Sequence, residues 1–178
     1  MRLARAFSKN GTYAMLRDME ISGLLKSVKV NVRARDHESV LREMFSGLLP
    51  GTGGQKASKT FRDLEAHESS EGALAGTGGA IFHCLAEGAE STVIALAVTK
   101  KAVSRTGGTG PARVFFAVVS PMKESGTHMQ ILSRLEALLL DRAFTHAVLG
   151  ASTDEDARRA VKAAEGSSKA LYLPLEKD

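Results

Sequence analysis

The sequence predicts a single α/β or α+β domain with at least four strands and four helices, and three observations point there. Three apolar runs, Ala80 to Leu85, Val93 to Val98 and Val114 to Val119, lack helical spacing and are rich in β-branched and aromatic residues, which favours buried strands. A further stretch alternates strictly, with Val28, Val30 and Val32 set between Lys29, Asn31 and Arg33. The remaining patterned segments repeat apolar residues at three- and four-residue steps behind capping residues, as docked helices do. The 178 residues amount to about one domain at roughly 100–200 residues each. An apolar share of 43% with 25% charge excludes wholesale disorder and a membrane bundle.

Val28 to Val32 reads as a strand with one buried face, and Asp36 stands at the N-cap of the helix that follows. Val40, Leu41, Met44, Phe45 and Leu48 give that helix its apolar stripe, and Pro50 with Gly51 ends it. Ser58 is the expected cap of a second helix carrying Phe61 and Leu64 toward Ser69 or Ser70. The turn Gly76 to Gly79 delivers the first apolar run, and Thr106 to Pro111 forms a loop between the other two. Thr127 and Gln130 have capping-box spacing and predict the start of a long helix through Leu132, Leu135 and Leu139, with His128 at the exposed end of its stripe. Ser152 and Glu155 repeat that signature ahead of Ala157, Ala160, Val161 and Ala164, and Gly166 is the expected stop. Leu171, Leu173 and Leu175 suggest a last edge strand. Residues 1–19 are set apart as a leader and 20–178 as the domain.

Composition narrows the function. Twenty-four basic against 20 acidic residues give +4, far from a dedicated nucleic-acid clamp, and 5% aromatics without Trp argue against base stacking. Cys84 is the only cysteine, so no intrachain disulfide forms and a cysteine-rich zinc site is excluded. The longest apolar runs fall well short of the ~20 residues a spanning helix needs. The basic N-terminus has no unbroken apolar stretch of a secretory signal, so the expected setting is the cytoplasm.

His37, His67, His83, His128 and His146 include no pair at the helical i, i+4 spacing of a metal site. The cluster Gly51 to Ser58 lacks the Gly-Lys-Ser/Thr ending of a phosphate loop. Gly76 to Gly79 precedes a strand, whereas a dinucleotide fingerprint follows one. No cofactor and no metal is implied.

The segment from His67 to His83, together with Thr127-His128-Met129-Gln130-Ile131-Leu132, resembles the enzyme IIA domain of the fructose/mannitol type in the phosphoenolpyruvate-dependent phosphotransferase system, its nitrogen-regulatory branch included. That pattern has Arg-Glu, a Thr five residues on, then Gly and Ala, ending in Pro-His, with a later His-Leu opening a leucine-rich helix. Glu68, Gly76, Ala80, His83 and His128 match it; the family's Arg, Thr and Pro fall on His67, Ala73 and Phe82. The likeness runs from about Ile21 to Glu165 and implies a central mixed sheet of about five strands flanked by helices.

What the resemblance implies is a phosphocarrier. His83 would receive a phosphoryl group from a histidine-containing phosphocarrier protein. His128 would donate to the phosphoryl oxygens, Glu68 would orient a histidine or pair with a cation, and His67 would supply charge where the family uses Arg. A neutral imidazole suits the acceptor role near neutral pH. A IIB domain or a regulatory target would be the acceptor or partner; nucleic acid and membrane insertion are not expected. With no IIB or IIC segment in the chain, the expectation leans to a stand-alone nitrogen or metabolic regulator, sugar uptake being the other context. Changes at the family's Arg, Thr and Pro positions keep a second class open, a IIA-like module that docks a partner without turning over phosphate.

Overall fold

In the computed structural model, residues 20–48, 54–66, 68–69, 78–104 and 111–167 are described. The leader, the glycine-rich loop ahead of Pro111 and the expected strand at Leu171 to Leu175 lie outside them.

Elements follow in the order α1 (Ile21–Leu24), β1 (Leu25–Val32), α2 (His37–Leu48), α3 (Gly54–Ala66), β2 (Glu68–Ser69), β3 (Gly79–Ala86), β4 (Val93–Ser104) and β5 (Pro111–Pro121). A 3-10 turn (Met122–Glu124) then leads into α4 (Ser125–Leu140), α5 (Arg142–Leu149) and α6 (Asp154–Ser167). One mixed sheet runs β1-β4-β5-β3-β2. β1 is parallel to β4, β4 antiparallel to β5, β5 parallel to β3, and the two-residue β2 antiparallel to β3. The expected mixed sheet of about five strands flanked by helices is what forms.

Helices cover both faces. On one, Val40, Leu41, Met44 and Leu48 of α2 with Leu64 of α3 pack on Phe82, Cys84, Phe115 and Ala117. On the other, Leu132, Leu135 and Leu139 of α4, Phe144 of α5 and Val161 of α6 pack on Ile81, Ile94, Phe116 and Val118. The central apolar runs are buried on both sides, which is why they show no alternation in sequence.

Several sequence expectations move. Val28 and Val32 belong to opposite cores, because Asn31 sits at φ 59° and the register of β1 slips between Lys29 and Val32. One residue in the left-handed region turns the strand over. α3 starts at Gly54, so Ser58 lies inside it, and it ends at Ala66, before the expected Ser69. The helix with the leucine stripe starts at Ser125, two residues ahead of Thr127, because the 3-10 turn after β5 runs directly into it. The cap of α6 is Thr153 rather than Ser152: its hydroxyl accepts from the Asp156 amide while Asp156 Oδ2 accepts from the Thr153 amide, 3.1 and 2.9 Å. The cap of α2 is as expected, with Asp36 Oδ1 accepting from the Ser39 amide at 2.8 Å. That bond holds the Asp36 carboxyl below its ordinary value of 3.8. α5 went unread in the sequence; Asp141 caps it by accepting from the amides of Ala143 and Phe144.

Candidate active site at the carboxyl ends of β3 and β5

β3 and β5 run parallel as neighbours and finish together, Ala86 opposite Pro121. His83 is three residues from that end, paired with Val118 and on the face that α4 covers. After Pro121 the 3-10 turn swings the chain back, so the first turn of α4 lies against the ends of both strands. The carboxyl ends of parallel strands are where open α/β sheets gather their functional groups.

His128, in that first turn, is 4% exposed. The expectation of a histidine at the exposed end of the stripe is therefore corrected: its ring turns inward, onto the sheet. Nδ1 of His83 and Nε2 of His128 are 3.2 Å apart, with ring centroids 5.3 Å apart and planes at 48°. The other nitrogen of His128, Nδ1, is 2.9 Å from Ser120 Oγ. Burial pushes the His128 imidazole below its ordinary value of 6.5, which favours the neutral ring.

Behind this pair lie groups that the sequence did not single out. Ser120, fully buried, is 2.9 Å from Thr92 Oγ1, and Thr92 Oγ1 is 3.3 Å from Glu124 Oε2. Glu124 occupies the N-cap position of α4 yet makes no side-chain bond to the helix amides. The only signal in the sequence was a hydroxyl at one end of two of the three apolar runs, Thr92 ahead of Val93 and Ser120 after Val119.

Phe82 neighbours His83 in sequence but lies in the opposite core, 1% exposed. It stacks near Phe115 at 6.2 Å and meets the edge of His37 at 6.3 Å. The family's proline position is thus filled here by a core side chain that does not stand over the His83 ring. Cys84 also packs in that core, and desolvation raises its thiol to about 12, so it stays protonated and unreactive. Glu68 pairs in β2 opposite Phe82, which brings its backbone beside the His83 segment. His67, Ala73 and Gly76 lie outside the described residues. Gly79 opens β3, four residues from His83, and its missing side chain makes room for Leu139. Met122, in the 3-10 turn, and Met129, on α4, are exposed at 55% and 60%.

Among the described residues no helix is long and apolar enough to cross a membrane. No curated protein sequence matches the chain. In fold the chain is similar to the nitrogen regulatory protein IIA-Ntr of Neisseria meningitidis, with a TM-score of 0.65 and 19% identity over 79% of this chain and 98% of that one. It is also similar to the mannitol-specific cryptic phosphotransferase enzyme IIA of Escherichia coli, with a TM-score of 0.63 and 17% identity over 82% of this chain and 99% of that one. The mannitol IIA of Escherichia coli gives a TM-score of 0.58 and 13% identity over 76% and 96%. Residues 25–164 match the family described as phosphoenolpyruvate-dependent sugar phosphotransferase system, EIIA 2, and the chain belongs to that family.

Proposed function

We propose that this protein is a cytoplasmic IIA-type phosphocarrier in which His83 takes a phosphoryl group from a phosphohistidine of the histidine-containing phosphocarrier protein and passes it to a IIB domain or a regulatory target. The observation that carries this reading is the His83–His128 pair, 3.2 Å apart at the carboxyl ends of two parallel strands in a chain of this family. Phosphoryl transfer asks little covalent chemistry of the protein and much positioning. Here one imidazole is held by another, and that one is held by a buried hydroxyl.

The step balances as follows. The donor ring enters with its phosphoryl group on one nitrogen and a proton on the other. The lone pair of a His83 nitrogen forms the new N–P bond as the donor's N–P bond breaks, and the breaking pair returns to the donor ring, which leaves as neutral imidazole. His83 gains the phosphoryl group and a cationic ring whose remaining N–H is shared with a neighbour. A neutral His128 accepting from Nδ1 of His83 fits that need. In the unmodified arrangement both nitrogens of His128 are engaged within the protein. Donation from His128 to phosphoryl oxygens therefore requires the pair to rearrange after transfer. Glu68 and His67 remain in the proposal as the acidic residue beside the His83 segment and the residue at the family's Arg position.

The test is incubation with phosphoenolpyruvate and the two general relay proteins of the system. The expected result is an acid-labile mass gain of one phosphoryl group, lost in His83→Ala. No label on the wild type overturns the phosphocarrier and leaves a docking module. Label that survives His83→Ala overturns the site while sparing the family assignment. Transfer onward to a IIB domain is expected of the sugar-uptake context; stable labelled protein that binds a target without passing the group on is expected of the regulatory one.

A further inference from the structure

Counting protons along the buried polar chain gives it a direction. A carboxylate only accepts, so the bond between Thr92 Oγ1 and Glu124 Oε2 uses the single proton of Thr92. The 2.9 Å contact between Thr92 and Ser120 must then use the proton of Ser120. With that proton spent, Ser120 Oγ can only accept from Nδ1–H of His128. A neutral His128 protonated at Nδ1 has a lone pair at Nε2, and that lone pair accepts from Nδ1–H of His83. Every bond in the series is satisfied by one polarity, and the reverse polarity would leave Glu124 and Thr92 facing each other as two acceptors.

We propose that Ser120, Thr92 and Glu124 are positioning residues: their hydrogen bonds, ended by the Glu124 carboxylate, fix the proton direction in the His83–His128 pair and so select the His83 nitrogen that carries the reacting lone pair. The selection follows because a proton held on Nδ1 of a neutral imidazole puts the lone pair on Nε2. The same polarity suits the product. As the His83 ring becomes cationic, its Nδ1–H already points to an acceptor, and a negative charge stands at the far end of the chain. Burial supports this reading of the network. Ser120 is 0% exposed, His128 4% and Thr92 6%, so solvent does not compete for these bonds and the alternative tautomer would strand a buried group. Glu124 supports it from a different direction: at the N-cap of α4 its carboxylate is committed to Thr92 rather than to the helix.

The inference rests on His83 as the phosphoryl acceptor, but its first test does not. Long-range 15N–1H correlation spectra of the imidazoles, taken on unphosphorylated protein above the ordinary histidine pKa, report which nitrogen is protonated. Both His83 and His128 are expected as Nδ1–H tautomers. Thr92→Val keeps the shape and removes the hydroxyl; both rings should then lose that preference, and Thr92→Ser should restore it. Glu124→Gln, at the half-buried end of the chain, replaces the obligate acceptor with an amide that can donate. It should produce the same loss and gives a second reading should Thr92→Val fail to fold. Phosphoryl transfer to His83 is expected to slow by about 10- to 100-fold in both variants, the scale on which partners that orient a functional imidazole act, and to recover in Thr92→Ser. Wild-type His83 protonated at Nε2, or folded variants with unchanged tautomers, would overturn the proposal. Correct tautomers in a protein that takes no label would overturn the phosphocarrier function and leave the relay standing.

Discussion

His128 carries the largest departure from its neighbourhood's chemistry. It is a buried, titratable ring among hydroxyls, with His83 on one side and, through Ser120 and Thr92, Glu124 on the other. Because desolvation lowers its pKa on folding, the unfolded chain binds the proton more readily than the folded one. The stability associated with a neutral His128 is therefore complete above the ordinary value of 6.5 and is lost as pH falls through that value toward the lowered folded one. Urea midpoints measured across this window should fall with acidification in the wild type and fall less steeply in His128→Gln. An equal slope in the two proteins would remove His128 as the source. The sequence made this histidine visible through its likeness to the family's His-Leu position, but its local context read as a surface first turn. What buries it is its place on the Leu132, Leu135 and Leu139 face of a helix that the 3-10 turn after β5 starts at Ser125, so that its ring meets Ser120 and His83 at the sheet.

Among the elements, α4 and β3 are fitted to each other at a glycine. A Cβ on Gly79 would lie 2.5 Å from Leu139 Cδ2 and 2.8 Å from Cδ1, closer than packed side chains tolerate. Gly79→Ala should destabilise by about 1–3 kcal/mol, as overpacking does. In a Leu139→Ala background the same substitution should cost clearly less, since the two sites share one space. Additive effects in the double-mutant cycle would show that the contact does not set the α4–β3 approach. Element identity was legible in the sequence wherever one segment sufficed: the three apolar runs, the Asp36 cap, and the stripes of α2, α4 and α6 all fall where the residues put them. Boundaries set by tertiary packing were not. Thr127 and Ser152 both have capping-box spacing, but the helices start where neighbouring turns deliver the chain. The alternation of Val28, Val30 and Val32 gave no sign that Asn31 reverses the strand, since the left-handed region is open to Asn without any change in pattern. The relay behind His83 was invisible for a related reason: Thr92, Ser120 and Glu124 come from separate strand and helix ends, and only the folded sheet brings them together.

At the scale of the whole molecule, a mixed sheet must finish its outer strand without inviting another chain to pair with it. Among the described residues β1 is such an edge, hydrogen-bonded to β4 on one side. α6 attends to the other side with side chains rather than with a strand. Asp154 Oδ1 accepts from the Val30 amide at 2.9 Å, and Arg158 donates to the carbonyls of Leu25 and Lys26 at 3.0 and 3.4 Å. α6 also receives α1, whose Ile21 and Ser22 amides donate to Glu165. The residues that give α6 its charged, strongly helical sequence thus have a second task, occupying the backbone groups a neighbouring strand would use. Replacing Asp154 and Arg158 together by Ala should leave the buried face of α6, Ala157, Val161 and Ala164, in place and cost only about 1 kcal/mol, because water reaches the freed backbone groups. The more telling consequence is association. The double variant should form concentration-dependent oligomers in sedimentation or light scattering beyond whatever the wild type shows, with amide exchange at Leu25 to Val30 slowing as concentration rises. A double variant that matches the wild type in mass at every concentration, with its amides at Leu25 to Val30 exchanging independently of concentration, would mean that the twist imposed at Asn31 protects the edge by itself.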